Sequence, residues 1–513
     1  MAGFNRPSDS TPLPYTSSPR QLLLSELCLI KDILRNFPAS FPGVIQPFWS
    51  VKAEDELCLR NAKNVRSLLL HVILLITQSL FLLGLVYGLI IPIPASLYLG
   101  GIVITLILNY YFCRLLNGDG SPQTSSINLT RYRSENPDAK DHDHSDECWI
   151  FINGVSVGRD WFQSNLNTLS QIFRRRIIGV HNITYGIIFD LIECLIQRDS
   201  CYATDDIRTG YDHVKKSLLE EKNKKVVLIV HSQGGIEGGA ILDWLLDDLP
   251  ASVLGKLEIY TFASAANHWN NPDRHHHNSK EDEEAGKKLG VIRHVEHYTN
   301  SGDFVSRFGI LGFIRQPLKN TKAGTKGVGK GGAGGAASGH DNNNRFKGKL
   351  FKRNATGHML NQHYLAYMFP REEYTLPDGT VGVRVKEHNG FMDSEAAVWD
   401  GQRDKQNLGW HDWPWGWKLG WWGFELGKPK KWESMMREDG LDLSGRTGQG
   451  PDHLTVARKP RELSRLWLYR NGMSPPDDGQ DGEHRGQHRQ GKEAGSVVVN
   501  GLANALEVNG FAK

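Results

Sequence analysis

The chain has 513 residues, enough for two or three domains, and its 60 basic and 57 acidic side chains leave a net charge of only +3. That balance gives no support for a nucleic-acid partner. Six cysteines, at 28, 58, 113, 148, 194 and 201, form no CxxC pair and no regular framework. They fit a reducing compartment, as small hydrophobes rather than disulfides.

Residues 1–66 open with a Ser-, Pro- and Thr-rich stretch, Met1 to Ser18, that reads as disordered. Arg20 to Phe37 then places Leu22, Leu23, Leu27, Ile30, Leu34 and Phe37 near one helical stripe, an amphipathic helix suited to a membrane surface or to a folded domain. Segment 67–113 holds two uncharged apolar runs. Ser67 to Ile91 has 25 residues and Ala95 to Phe112 has 18, separated by Pro92-Ile93-Pro94. Each is near the length that crosses a bilayer. Basic residues flank only the outer ends: Lys52, Arg60, Lys63 and Arg66 before, Arg114, Arg131 and Arg133 after. The expected arrangement is a helical hairpin, either spanning the membrane or dipping into it, with both ends in the cytosol. His71 and Gln78 within it are polar but neutral. Residues 114–146 are polar and charged, a linker from the hairpin to a globular domain.

From residue 147 the pattern changes to buried strands ending in small-residue loops. Glu147 to Gly158, ECWIFINGVSVG, is a strand running into a loop and then an amphipathic helix from Asp160 to about Arg174. Lys224 to Leu246 joins an aliphatic strand, Val226 to Val230, to a helix through His231-Ser232-Gln233-Gly234-Gly235. A serine on so tight a turn projects its hydroxyl from the sheet edge and aims the Gln233 N–H at any oxyanion formed beside it. Val230 stands where G-x-S-x-G has its first glycine. Two further strands come next, Leu257 to His268 and Val291 to Gly309, with Asp303 just past the second. Phe346 to Phe369 reads as strand, turn with Gly357-His358, then helix containing His363.

The order Ser232, Asp303, His358, each at a strand end, resembles the α/β-hydrolase triad, most closely the lipase-like branch. The matching pieces are His231-Ser232-x-Gly234-Gly235, Thr261-Phe262-Ala263-Ser264, Asn300/Asp303/Val305, and a late histidine near a tyrosine. The resemblance spans roughly residues 146 to 370. It implies an α/β fold, a mainly parallel sheet with helices on both faces, behind the N-terminal hairpin. It also implies Ser232 as nucleophile, Asp303 as the acid, His358 as the base with His363 as alternative, and oxyanion donors at Gln233 and near Val155. His231 is expected to pack or hydrogen-bond, and Glu296, alternating within its strand, to be structural.

Two decoys lie nearby. Gly324 to Lys330, GTKGVGK, has the front of a phosphate-binding loop, but Gly331 replaces its Ser/Thr and no strand precedes it. It belongs to a low-complexity insertion within 319–345. His275-His276-His277 lacks a second ligand cluster, so neither a metal nor a cofactor is expected. Residues 371–432 begin with a hairpin-like stretch, Glu372 to Asp393, and carry eight of the fourteen tryptophans between Trp399 and Trp432. Those rings suit packing over the catalytic domain, substrate-mouth contact or a membrane interface. Residues 433–513 read as mostly disordered, apart from a short helix around Arg461 to Tyr469.

The expectation is a membrane-anchored serine hydrolase, lipase- or carboxylesterase-like, whose catalytic domain (147–370) faces the cytosol and cleaves an ester, a lipid ester by its location, through an acyl-enzyme. An acyl-thioesterase and an inactive hydrolase-like membrane scaffold are the alternatives.

Overall fold

The structure, a computed structural model, describes residues 50–120, 122–129, 144–200, 202–272, 290–313, 346–353, 355–376, 379–394 and 459–476, the backbone of 432–435, and helical Arg20, Leu23, Leu24, Glu26 and Leu27. The 319–345 insertion, His275–His277, the Trp-rich stretch before Trp432, most of the Arg20–Phe37 helix and most of the C-terminal tail lie outside the described residues.

Two apolar helices come first, α1 (Ala62–Ile90) and α2 (Ala95–Asn117). Both are long and apolar enough to cross a membrane. Asn61 caps α1 by accepting the Lys63 N–H, and the rigid Pro92–Pro94 turn reverses the chain. Residues 114–146, expected as a linker, are partly built into the fold. Helix α2 runs on to Asn117, and β1 (Gln123–Thr124) adds an antiparallel edge to the sheet.

The domain proper alternates strand and helix: β2 (Glu147–Ile152), α3 (Arg159–Phe173), β3 (Ile177–Val180), α4 (Ile187–Ser200), α5 (Asp205–Leu219), β4 (Lys225–His231), α6 (Gly234–Asp248), β5 (Leu257–Phe262), β6 (His294–Asn300), α7 (Phe304–Phe308) and β7 (Lys349–Arg353). Sheet order is β1-β3-β2-β4-β5-β6-β7-β10, where β10 is Trp432–Met435. The six strands from β3 to β7 are parallel, and the two edges are antiparallel.

Strand alternation splits the core in two. Phe151, Ile229, Phe262 and Tyr298 meet Phe162, Leu166 and Leu169 of α3 on one face. Ile152, Leu228, Val230 and Ile259 meet Val214 of α5 and Ile241, Leu242 and Leu245 of α6 on the other. Both faces are therefore covered, and the central strand β4 is an unbroken aliphatic run from Val226 to Val230 because neither of its faces meets water.

The core also extends past residue 370. The β8–β9 hairpin (Arg371–Thr375, Val381–Val385) contributes Val385, and Leu466, Trp467 and Tyr469 fill the α3 face from a short helical stretch, Leu466–Gly472. Two buried carboxylates hold that stretch. Glu296 accepts the N–H groups of Arg465 (2.7 Å) and Leu466 (3.3 Å) and the Tyr298 hydroxyl (2.5 Å). Glu258 accepts from Arg465 Nε (3.0 Å), Tyr469 (2.8 Å) and Tyr260 (2.7 Å).

Candidate active site

Strand β4 ends at His231 and α6 begins at Gly234, so Ser232 occupies a two-residue reversal. Its φ is +58°, a left-handed value that a non-glycine residue adopts only under constraint. The constraint is visible. Its N–H donates to the Phe262 carbonyl at 3.0 Å, and its own carbonyl accepts the Gly235 and Ala265 N–H groups at 2.9 and 3.0 Å.

Crowding at the turn is relieved by glycines elsewhere. A Cβ on Gly154 would lie 2.3 Å from the Ser232 Cβ, so only glycine fits behind the serine. The departure at Val230 is met in the same way. Its side chain is fully buried, and a Cβ on Gly238 would stand 3.0 Å from its Cγ1.

Two more strand ends complete a relay. His358, past β7, places Nε2 2.9 Å from Ser232 Oγ. Its Nδ1 lies 2.9 and 3.1 Å from the two oxygens of Asp303, past β6. With Nδ1–H donating to the carboxylate, Nε2 is left as the acceptor for the serine proton. Asp303 also accepts the Tyr364 hydroxyl at 2.7 Å, the Val305 N–H at 2.9 Å and the Ser306 hydroxyl at 3.2 Å. Burial alone would raise its pKa, but His358 and these donors together hold the carboxyl below the usual range.

The other histidines take different places. His363 lies in a π-helical turn, Leu360–Leu365, and its Nδ1 accepts the Met359 N–H at 2.9 Å, bracing the loop that carries His358. His231 points across the elbow. Its Nε2–H donates to the His358 carbonyl at 2.9 Å. Burial, followed by the nearby His358, lowers its pKa to about 3, so it is neutral and acts by position.

The candidate oxyanion side is formed by Gln233 and the β2–α3 loop. Among the described residues, no backbone acceptor takes the N–H of Gln233 or of Val155. The Gln233 side chain is fixed from both ends: Asn182 Nδ2 donates to its oxygen at 2.7 Å, and its amide donates to Gln197 at 3.1 Å. Asn153 and Asn182 exchange two further bonds, 2.9 Å each. Val155, Cys194, Ile236, Ala265 and Val305 form one small apolar cluster, drawn from the β2–α3 loop, α4, α6, the segment after β5 and α7, and Ser232 itself is only 1% exposed.

Compared with known proteins, this chain matches no family model, no curated protein and no solved structure.

One participant carried no sequence signal. Asp190, on α4, accepts the Ser156 N–H at 2.8 Å, the Thr184 hydroxyl at 2.6 Å and the Tyr185 N–H at 2.7 Å. It pins the residue after Val155, where φ is +58°. Burial raises its pKa to about 7 against the opposing pull of these donors. Asp190 sits in an ordinary amphipathic helix, so only tertiary contact identifies it. No group of three or more His, Cys, Asp or Glu side chains able to hold a metal occurs among the described residues.

Proposed function

We propose that this chain is a serine hydrolase of α/β-hydrolase type, anchored to a membrane, that cleaves a lipid ester through an acyl-enzyme. The observation that carries the reading is the unbroken relay from Ser232 Oγ through His358 to Asp303 on a strained strand-to-helix turn. As Ser232 Oγ bonds to the ester carbonyl carbon, its proton passes to His358 Nε2. That proton then leaves with the alcohol as the C–O bond breaks. Water repeats the sequence to free the acid, with Asp303 favouring the imidazolium throughout.

The carbonyl oxygen gains charge next to the α6 N-terminus and the N–H groups of Gln233 and Val155. One such donor contributes about 2.7–4 kcal/mol to the barrier reduction. The apolar cluster that includes Ala265, hydrogen-bonded to the Ser232 carbonyl, suits an acyl chain, and the adjacent hairpin favours a substrate drawn from a bilayer. Basic residues at both outer ends of the hairpin favour a cytosol-facing catalytic domain.

The deciding experiment is labelling by a fluorophosphonate, with wild-type and Ser232→Ala protein side by side. Wild-type labelling that disappears in a folded Ser232→Ala protein is the expected result. Equal labelling of both, or of neither, rejects the reading.

A further inference from the structure

The hairpin is not free of the domain, and the way it is held bears on how deep it can go. Buried residues of α1 recur at helical spacing, Asn64, Ser67, Leu70, Leu74 and Gln78, and stop there. On α2 they begin at Asn109. The contacts at that level are polar. Gln78 Nε2 donates to the Tyr185 carbonyl at 2.6 Å and to Asn109 at 2.8 Å, and its oxygen accepts the Ile188 N–H at 3.1 Å. Asn109 donates to the same Tyr185 carbonyl at 3.2 Å. Lower down, Asn117 and Thr184 exchange two bonds (2.8 and 3.3 Å), and Trp161 donates to Asn64 at 3.1 Å.

Above the Gln78–Tyr185 level neither helix has a buried residue. From Gln78 to Ile90 a helix rises about 18 Å. One leaflet offers half of a hydrocarbon core of about 30 Å, and a full crossing needs about 20 helical residues. A crossing that ended at Ile90 would begin near residue 70 and would draw the non-helical 181–186 loop, with its exposed Tyr185, into hydrocarbon, where irregular backbone exposed to lipid is not tolerated.

We propose that the hairpin enters one leaflet only, with its Pro92–Pro94 tip near the midplane, and that the domain rests on that same leaflet. The proposal builds on the membrane anchorage proposed above and is independent of the hydrolase chemistry. Two features at the foot fit a lipid surface as the occupant. Tyr110, Tyr111 and Tyr185 are exposed near the Gln78 level, where aromatic rings meet headgroups. Beside them α4 presents exposed Leu191, Ile192 and Ile196. Below Gln78 the outer side of α1 remains apolar at Leu69, Val72, Ile73, Leu75 and Ile76, over about 13 Å of rise, of which the headgroup layer would cover the upper part. The two arrangements disagree most at the tip, which lies at the bilayer centre in one and at the far interface in the other.

The test uses full-length protein in sealed phosphatidylcholine–phosphatidylserine vesicles. Ile93→Cys is labelled with a bimane maleimide, with wild-type protein as the blank for the native cysteines. Nitroxide lipids then quench from a shallow or a deep acyl position, and in a parallel sample an impermeant maleimide is sealed inside the vesicles before the unlabelled variant inserts. The expected result is severalfold stronger quenching by the deep nitroxide and no reaction with the enclosed reagent. Stronger shallow quenching together with reaction from inside establishes a spanning hairpin and overturns the proposal. Failure to float with vesicles, including a dimer that hides the hairpin, rejects the membrane anchorage and this proposal with it. Ser96→Cys, at the second residue of α2, repeats both measurements should the Ile93 variant fail to fold.

Discussion

Asp190 Oδ2 lies 2.8 Å from the Ser156 backbone nitrogen, so the helix that presents Leu191 and Ile192 outward also fixes the loop beside Ser232. The same helix starts two residues after Tyr185, whose carbonyl is held by Gln78 and Asn109 of the hairpin. The hairpin and the β2–α3 loop are therefore joined by three successive hydrogen bonds, Gln78 to Tyr185, Tyr185 to Asp190 and Asp190 to Ser156. Gln78→Ala should leave the relay in place yet lower turnover several-fold by loosening residues 184–190. Its effect on kcat should exceed its effect on KM. An unchanged kcat in a variant of unchanged thermal stability would show that the two ends are independent.

The relay makes a ranking of histidines. His358→Ala removes the proton acceptor and should cost at least a thousandfold in kcat, in line with the loss of one member of such a unit, of order 10⁴ or more. His363→Ala removes the bond that braces Met359, and turnover should fall by about tenfold, the effect of one hydrogen bond at roughly 1.4 kcal/mol. Steady-state kinetics on a soluble short-chain ester would check this. The reverse ranking makes His363 the base.

How much of this was legible in the sequence depends on whether the cause was local. The chain order of Ser232, Asp303 and His358 at strand ends is a local pattern, and the structure brings those three side chains together. Val230 stood out as a departure because the glycine that makes room for it, Gly238, comes from the facing helix, one turn into α6. Asp190 has no pattern around it at all. The hairpin was legible as two apolar runs, but not its docking. Gln78 and Asn109 look like isolated polar exceptions until the 184–188 loop is placed against them. Likewise Leu466, Trp467 and Tyr469 sit within a polar tail, and only the buried Glu258 and Glu296, some 170 to 210 residues earlier, explain why that short stretch folds into the core.

That C-terminal bracket can be cut at one side chain. Arg465 Nε lies 3.0 Å from Glu258 Oε1, and both side chains are nearly buried. Arg465→Ala would leave a buried carboxylate with only tyrosine donors, and breaking a buried pair from one side costs about 3–5 kcal/mol. Chemical denaturation should show a loss of that size. Ending the chain at residue 458 should be worse, since Glu296 then also loses two backbone donors. A truncated protein as stable as the full chain would remove residues 459–476 from the core.

Tyr364 tests the acid member without touching the relay. Its hydroxyl donates to Asp303 Oδ2 at 2.7 Å and accepts the Asn300 N–H at 3.0 Å. Tyr364→Phe should destabilise the protein by about 1.5–3 kcal/mol, the range for a hydrogen bond to a charged group. Losing one donor should also raise the Asp303 pKa. A depressed carboxylate stabilises the fold above its unfolded value and loses that contribution as pH falls through the folded one. Acid unfolding of Tyr364→Phe should therefore begin at higher pH than in the wild type. Coincident acid transitions would mean that the hydroxyl contributes nothing to holding Asp303 ionised.

Asp190 should behave with the opposite sign. Its folded pKa is raised from 3.8 to about 7, chiefly by burial, so its proton favours the native state. The contribution is complete below about pH 4 and is lost as pH rises through 7, at no more than about 1.4 kcal/mol per pH unit for one proton. Asp190→Asn removes that titration while keeping one side-chain oxygen, enough for the Ser156 N–H or the Tyr185 N–H but not for both. Between pH 5 and 7 the wild type should lose stability relative to the variant. Asp206, also raised to about 7 by burial and the nearby Glu193, is present in both proteins and differs between them only through its weaker coupling to Asp190. Activity separates position from charge: Asp190→Asn should retain most turnover, whereas Asp190→Ala, which frees the Ser156 loop, should lose about 10²-fold or more if the Val155 N–H serves as an oxyanion donor. Denaturation midpoints at half-unit pH steps, with kcat for both variants, give the answer. Parallel pH curves for wild type and Asp190→Asn would show that this carboxyl does not titrate with folding.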